Sequence, residues 1–235
     1  MAYEDKIINI NGSAINSNNR VYVIAEIGMN HNGSFNKAIK LVDKAIDAGA
    51  DCVKFQLRDL KELYSKDALD ITSSDLATQY TVRLLEKFAL TNMEYKKIYN
   101  YCKDKKINFM CTPWDKSSLR FLENIGVTAY KIASADLTNV DLINAAIKTK
   151  KVLILSTGMS TENEITTTVK LLKNSKTKFA LLHTNSTYPT PDKDLNLRYI
   201  QKLSERYAVP VGYSGHERGI DTVSYTHLTL PTTSC

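Results

Sequence analysis

Short apolar segments alternate with helical patterns seven times along this chain, and that alternation limits the possible folds more than any other feature. The apolar segments, rich in Val, Ile and Phe, are residues 21–27, 52–56, 108–112, 129–133, 152–156, 179–184 and 209–213. Most of them lack a polar–apolar alternation, which indicates strands buried on both faces, as in parallel sheets. Strands that alternate with helices predict an α/β fold.

The segments between these strands have helical periodicity. Residues 36–47 place Ile39, Val42 and Ile46 on one helix face, and residues 162–174 repeat the pattern. Further helices are predicted at 117–125, 140–148 and 195–207, with a longer helical excursion at 59–90. Before the first strand, residues 6–10 followed by Asn11-Gly12 predict a β-hairpin.

Three of the apolar strands carry a charged residue near the carboxyl end: Glu26, Lys54 and Lys131. A buried lysine is costly unless it meets an anion. For one lysine, an edge strand with its ammonium group in solvent explains the pattern equally well. Two lysines and a glutamate favour a functional site, because the chemistry of (β/α) barrels lies at that end of the strands. A doubly wound sheet remains the alternative architecture.

Small hydroxyl residues follow the same strand ends. They are Thr112, Ser134, Ser156, Thr157, Ser186 and Ser214. Each one alone is better explained as a turn residue or helix cap. Their repetition beside two lysines predicts a cradle for phosphate and carboxylate groups.

Three histidines have different interpretations. His31 precedes an Asn-Gly turn, so a role in shaping the loop is at least as good an interpretation as a catalytic role. His183 lies inside a strand and is interpreted as a core residue. His216 follows the seventh strand, where a single histidine is a weak indication of a metal site.

Bulk composition excludes several classes of protein. The 235 residues carry a net charge of +6, without the aromatic-interleaved basic patch of a nucleic-acid-binding protein. The four cysteines show no paired spacing, which favours reduced thiols in a cytoplasmic protein. We expect no signal peptide and no membrane span.

Seven motifs together carry a resemblance to a known family. In chain order they are IAEIGMNHNGS, AGADCVKFQ, TPWD, YKIASADLTN, LSTGMST, LLHTNSTYPTP and VGYSGHERG. They resemble the motif series of the N-acetylneuraminate (sialic acid) synthase family, which includes legionaminic and pseudaminic acid synthases. The motifs occur in the family's order and extend over roughly residues 5–222.

The resemblance implies a (β/α)₈ TIM-type barrel, of which this chain holds about seven units. An N-terminal β-hairpin precedes them. It implies a transferase that condenses phosphoenolpyruvate with an N-acyl amino sugar, such as N-acetylmannosamine or a 2,4-diacetamido sugar, giving a nonulosonic acid and phosphate. A divalent metal, Mn²⁺ or Mg²⁺, polarises the sugar aldehyde in that family. The intact protein is expected to be a cytoplasmic homodimer that binds neither nucleic acid nor membrane.

The resemblance also assigns residues to roles. Those that match contacts to phosphoenolpyruvate are Lys54, Thr112, Lys131, Ser134, Ser186 and Ser214. Those that match the sugar side are Glu26, Gln56, Asp136 and Tyr188, and we group Glu26, Lys54, Asp136 and Tyr188 as catalytic. His216 matches a metal ligand, although Gly215 stands before it where many members carry aspartate.

The last thirteen residues depart from the family pattern. Residues 223–235 carry no Lys, Arg, Asp or Glu, and β-branched residues with Pro231 argue against the expected helix. We therefore expect a truncated catalytic barrel at 1–222, a tail of non-native appearance at 223–235, and no antifreeze-like C-terminal domain. His227 is not counted as a metal ligand. The 235-residue chain itself is expected to be inactive.

Two alternatives to the synthase remain at this point. One is a different barrel enzyme that uses phosphoenolpyruvate or acts like an aldolase. The other is a fragment that binds ligands without turnover. The residues on the sugar side, Glu26 and Tyr188, favour the synthase.

Overall fold

The computed structural model describes residues 7–16, 20–69 and 76–222, so the predicted tail at 223–235 lies outside the described residues. The chain divides into two compact units. The first unit is Val23–Val127, and the second unit combines Met1–Tyr22 with Thr128–Cys235.

Nine β-strands occur within the described residues. They are β1 (Ile8–Ile10), β2 (Ser13–Ile15), β3 (Ile24–Gly28), β4 (Cys52–Leu57), β5 (Asn108–Pro113), β6 (Ala129–Ile132), β7 (Val152–Ser156), β8 (Phe179–Thr184) and β9 (Val211–Ser214).

The same part of the chain contains nine α-helices. They are α1 (Phe35–Asp47), α2 (Leu60–Leu63), α3 (Lys66–Leu69), α4 (Leu76–Lys87), α5 (Asn92–Asp104), α6 (Lys116–Ile125), α7 (Val140–Lys148), α8 (Glu162–Asn174) and α9 (Tyr199–Tyr207). Two 3₁₀ turns accompany them, Ser134–Asp136 and Asp192–Asp194.

In the first unit, β3, β4 and β5 pair in parallel in that order. The register places Lys54 opposite Glu26 on one neighbouring strand, and Gln56 opposite Thr112 on the other. A register shift between Glu26 and Gly28 interrupts the β3–β4 ladder, which resumes where Gly28 pairs with Phe55. Phe55 is fully buried and stacks on Phe109 with ring centroids 5.5 Å apart.

In the second unit, β6, β7, β8 and β9 pair in parallel in chain order. All four residues of β6 are buried, including Lys131, whose side chain therefore points into the protein rather than into solvent. The hairpin predicted around Asn11-Gly12 is confirmed by antiparallel pairing of β1 with β2. Ile8 and Ile10 of β1 are each 2% exposed, so the hairpin contributes to the core.

Side-chain caps explain where several helices begin. Thr91 and Thr161 form capping boxes with Glu94 and Glu164 at the starts of α5 and α8. Asp115 caps α6, and its carboxylate also accepts from the Asp59 backbone N–H at 2.7 Å. That bond ties the end of β4 to the start of α6.

Several predicted boundaries differ from the observed ones. The strand predicted from residue 21 begins at Ile24. The helix predicted from residue 195 begins at Tyr199, because Asn196 has φ of 48°, which a right-handed helix does not allow. The strand predicted from residue 209 begins at Val211, since Pro210 has no N–H for the ladder.

No helix among the described residues is long and apolar enough to cross a membrane. Cys102 and Cys111 are buried free thiols. Burial raises the pKa of the Cys102 thiol to about 12, so it stays protonated and unreactive at neutral pH.

Candidate functional site

The first cluster of predicted site residues lies in the first unit, on adjacent strands. Lys54 on β4 forms an ion pair with Glu26 on β3. Its ammonium group also lies 3.5 Å from Thr112 Oγ1 on β5. The lysine side chain is 11% exposed and the glutamate side chain 48% exposed, so the pair has a buried cation and an accessible carboxylate.

The Gln56 side chain lies beside this cluster, close to the backbone of Gly28. An ideal Cβ built on Gly28 would lie 3.0 Å from Glu26 Oε1 and 3.4 Å from Gln56 Nε2. Gly28 also has φ of 51°, in the left-handed region that favours glycine. The absence of a side chain here lets the Glu26 carboxylate and the Gln56 amide share one small area at the end of β3.

The second cluster lies in the second unit and is centred on Lys131. Lys131 is only 4% exposed, and its ammonium group donates to Ser156 Oγ at 2.5 Å and to the Ile132 carbonyl at 2.7 Å. Ser156 is the last residue of β7 and is 3% exposed. A cation and a hydroxyl are thus held at the carboxyl ends of two neighbouring strands.

Ser134 and Ser186 meet at Gly158, which follows β7. The Gly158 N–H donates to Ser134 Oγ at 3.3 Å. An ideal Cβ at Gly158 would lie 2.8 Å from Ser186 Oγ and 2.6 Å from the Thr184 carbonyl oxygen. The two hydroxyls predicted to bind phosphoenolpyruvate therefore both lie close to one backbone position without a side chain.

We expect Gly158→Ala to lower the free energy of unfolding by about 1–3 kcal/mol, because the added methyl group overlaps a backbone carbonyl that cannot rotate away. Urea unfolding followed by circular dichroism measures the change. Met159→Ala is the matched control, since Met159 is 64% exposed and its truncation should change stability by less than about 0.5 kcal/mol. Equal stabilities for the two variants would contradict the close packing at Gly158.

Asp136 and Ser214 occupy the predicted end of the strands but contact different neighbours. Asp136 lies in the 3₁₀ turn after β6, where its Oδ1 accepts from Asn139 Nδ2 at 3.0 Å. Ser214 ends β9 and pairs in register with Thr184 of β8.

His216 and Tyr188 form a stacked pair. Their ring centroids are 3.9 Å apart, and the Tyr188 hydroxyl lies 2.6 Å from His216 Nε2. His216 Nδ1 lies 2.7 Å from the Asn185 carbonyl, which can only accept, so Nδ1 carries a proton. In the neutral imidazole, Nε2 is consequently the acceptor, and the Tyr188 hydroxyl donates to it.

The structure explains why glycine stands at position 215 in this chain. An ideal Cβ at Gly215 would lie 2.5 Å from a carboxylate oxygen of Glu217. That carboxylate accepts from the Tyr213 hydroxyl at 2.7 Å and from Thr222. Burial raises the pKa of Glu217, but these hydrogen bonds outweigh it and leave the pKa below its usual value. Glycine before His216 leaves room for a network that fixes the loop.

The resemblance implies a divalent metal ion, which would need several ligand side chains in one place. No group of three or more His, Cys, Asp or Glu side chains within residues 7–16, 20–69 and 76–222 is arranged to hold a metal ion. His216 by itself has the features of a ligand, because the carbonyl that accepts from Nδ1–H leaves the lone pair on Nε2, where it accepts from the Tyr188 hydroxyl in this structure. The described residues thus fit one imidazole ligand.

The other two histidines among the described residues are buried. His183 is 7% exposed and bonds the Leu195 carbonyl through Nε2 at 2.7 Å, in agreement with its interpretation as a core residue. His31 is fully buried, accepts from the Gly33 N–H at 3.1 Å and stacks on Phe55. Its contacts favour the loop-shaping interpretation.

We expect the melting temperature to fall as the pH is lowered from about 7.5 to about 5.5. Burial lowers the pKa of both His31 and His183 from the ordinary value of 6.5. The unfolded chain therefore takes up protons near that pH, while the folded chain takes them up only at lower pH. Their contribution to stability is complete above pH 6.5 and is lost below it. Calorimetry at constant ionic strength measures the slope, which His183→Gln should reduce. An unchanged slope in that variant would be the contrary result.

Two residues that contact the predicted site residues were not identified from the sequence. Arg58, whose guanidinium donates to the Gln56 side chain at 2.7 Å, could have been found, because it follows Gln56 by two residues and extends the same strand face. Asn185 contacts His216 through its backbone carbonyl, which no sequence pattern reveals.

Both units thus consist of parallel strands with helices between them, and polar side chains gather at the carboxyl ends of the strands. This arrangement is typical of enzymes with a parallel α/β fold, the (β/α) barrels among them. The chain belongs to the NeuB family, whose model matches residues 41–228.

Individual relatives agree with that membership. The chain is 35% identical over 210 residues to the N,N'-diacetyllegionaminic acid synthase of Campylobacter jejuni, covering 86% of this chain and 62% of the relative. It is 37% identical over 215 residues to the N-acetylneuraminate-9-phosphate synthase of Drosophila melanogaster, covering 90% of this chain and 57% of the relative. The chain therefore spans about three fifths of the length of these relatives.

A solved structure has the same fold. The N-acetylneuraminic acid (sialic acid) synthetase of Leptospira borgpetersenii, crystallised with citrate, superposes with a TM-score of 0.83 at 35% identity. The superposition covers 92% of this chain and 72% of that chain. The predicted fold class, an incomplete (β/α)₈ barrel of about seven units with an N-terminal hairpin, is confirmed.

Proposed function

We propose that this protein condenses phosphoenolpyruvate with an N-acyl amino sugar to form a nonulosonic acid and phosphate. The relatives named above are synthases of this type, and the family match gives no support to a different aldolase-like barrel enzyme. The observation that carries the proposal is Lys131, an almost completely buried cation bonded to a serine hydroxyl at the carboxyl ends of β6 and β7. Such a group suits a small doubly anionic substrate.

We assign phosphoenolpyruvate to the two lysines and four hydroxyl residues that the resemblance matches to its contacts. They are Lys54, Thr112, Lys131, Ser134, Ser186 and Ser214. An ammonium group and several hydroxyls complement phosphate and carboxylate oxygens, and their bonds to a charged acceptor are stronger than those between neutral groups. The Gly158 backbone, which keeps Ser134 and Ser186 close, supports the same assignment.

We assign the amino sugar to Glu26, Gln56, Asp136 and Tyr188. In the reaction, C3 of phosphoenolpyruvate attacks the aldehyde carbon, water adds at C2, and phosphate leaves by cleavage of its C–O bond. The aldehyde oxygen must gain a proton, and the attacking water must lose one. The accessible Glu26 carboxylate beside Lys54 is a suitable group for one of these transfers.

We also propose a divalent cation, Mn²⁺ or Mg²⁺, with His216 as one ligand. A bound cation would polarise the aldehyde as a Lewis acid. The chain's own contribution is to keep the proton of His216 on Nδ1, through the Asn185 carbonyl, and so to present Nε2. We propose a cytoplasmic homodimer as the working form.

The test measures phosphate release by the complete gene product with phosphoenolpyruvate and Mn²⁺. Three acceptors are compared: N-acetylmannosamine, its 6-phosphate and a 2,4-diacetamido sugar. Product formation with any of them supports the proposal and identifies the sugar. Activity with none of these three acceptors, but with a sugar phosphate without an N-acyl group assayed alongside them, would replace the proposal with the keto-deoxy sugar phosphate alternative. Phosphate release without an acceptor is the background control.

A further inference from the structure

The side chain of Gln56 has a defined orientation in the first unit. Arg58 Nη2 donates to Gln56 Oε1 at 2.7 Å, so the amide oxygen faces the guanidinium group. The amide nitrogen then lies on the other side, 3.4 Å from an ideal Cβ on Gly28, where Glu26 Oε1 lies 3.0 Å from the same point. The NH₂ group is thereby directed toward the area of the Glu26 carboxylate.

Arg58 is itself held in place. Its guanidinium carbon lies 4.8 Å from the centre of the Trp114 ring, in a cation–π contact. The Trp114 backbone N–H donates to the Leu57 carbonyl at 3.0 Å, which fixes the tryptophan beside the residue between Gln56 and Arg58. Burial lowers the pKa of Arg58, yet an arginine remains protonated at neutral pH. The cation is thus a fixed donor.

A glutamine without such a donor has no comparable constraint. The last side-chain torsion of glutamine is broad and roughly two-fold, and the oxygen and nitrogen of its amide have almost the same shape. Rotation by half a turn would present an acceptor where the fixed arrangement presents a donor. Arg58 removes that ambiguity, because a guanidinium group can donate to Oε1 but cannot accept from Nε2.

We propose that Arg58 is a positioning residue that orients the Gln56 amide, so that its NH₂ group donates to a hydroxyl or carbonyl oxygen of the amino sugar. This inference rests on the proposed function, since it uses the assignment of Gln56 to the sugar. Arg58 need not touch the substrate, and its effect passes through Gln56. Its removal should therefore weaken recognition of the sugar selectively.

The test is a double-mutant cycle in the complete gene product, with Arg58→Met, Gln56→Ala and the double variant. Arg58→Met should raise the KM for the amino sugar about tenfold and change the KM for phosphoenolpyruvate by less than about twofold. The double variant should match Gln56→Ala alone, because Arg58 has nothing left to orient. Arg58→Lys keeps a cationic donor and should recover part of the loss. An Arg58→Met effect that persists undiminished in the Gln56→Ala background would overturn the proposal.

A second measurement does not depend on catalysis. In ¹⁵N-labelled protein, the Gln56 side-chain NH₂ signals are identified by their loss in Gln56→Ala. The parent should show restricted motion of this group, and Arg58→Met should show mobility typical of an exposed glutamine. If the parent makes no nonulosonic acid, the proposed function fails while these signals still decide the orientation. Equal mobility in parent and Arg58→Met would overturn the positioning role.

Discussion

Lys131→Ala is expected to lower kcat/KM for phosphoenolpyruvate by about 30-fold or more, on the order of 2 kcal/mol, in the complete gene product. Lys131 is 4% exposed and its ammonium group donates to Ser156 Oγ and the Ile132 carbonyl, so it acts in a region from which water is largely excluded. Electrostatic attraction to an anionic substrate is stronger in such surroundings than in water. Steady-state kinetics with varied phosphoenolpyruvate measure the effect.

Two further variants separate charge from packing. Lys131→Met retains most of the side-chain volume and should lose nearly as much kcat/KM as Lys131→Ala, because the lost element is the cation. Lys148→Ala removes an exposed lysine from the last turn of α7 and should leave the kinetics unchanged. Full activity in Lys131→Met would show that the residue fills space and does not bind phosphoenolpyruvate.

The arrangement of strands and helices could be predicted from the sequence because it depends on local patterns. The strands at Val152–Ser156 and Phe179–Thr184 have their predicted bounds, as do helices α7 and α8. Continuous apolar runs of this length, bounded by capping threonine or asparagine, leave little choice of element. The misplaced start of α9 depended on one left-handed residue, Asn196, whose conformation the apolar pattern does not report.

The sequence could predict which types of residue form the candidate site, but it could not predict which of these residues contact one another. Lysines, carboxylates and hydroxyls at strand ends indicated anion chemistry, and strand register then determined which of them meet. The Glu26–Lys54 pair follows from their facing positions on β3 and β4. The Tyr188–His216 pair joins residues 28 positions apart on two loops, so no periodicity could have predicted it.

Backbone groups explain most of what the sequence left open. The Asn185 carbonyl sets the tautomer of His216, and the Gly158 N–H contacts Ser134. Every residue except proline carries both a backbone N–H and a carbonyl group, so their positions follow only from the folded loops. The glycine at position 215 likewise could not be explained from the sequence. A side chain there would overlap the carboxylate of Glu217, two residues later, and only the folded loop shows this.

Removal of divalent metal is expected to abolish turnover by the complete gene product, and added Mn²⁺ should restore it. His216→Ala should not be rescued in this way and should bind Mn²⁺ at least about tenfold more weakly, because Nε2 is its proposed ligand atom. Titration calorimetry measures Mn²⁺ binding independently of activity. Full turnover in excess chelator would remove the metal from the mechanism.

Tyr188→Phe is the matched variant for this prediction, since it keeps the ring that stacks on His216 and removes only the hydroxyl. In the structure that hydroxyl donates to Nε2, the atom proposed to bind the metal, so hydroxyl and metal compete for one lone pair. We therefore expect Tyr188→Phe to bind Mn²⁺ at least as tightly as the parent while it loses activity with the amino sugar. His216→Ala should lose both properties. Parallel loss of Mn²⁺ binding in the two variants would mean that Tyr188 supports the metal site, and that the hydrogen bond to Nε2 is not a competing interaction.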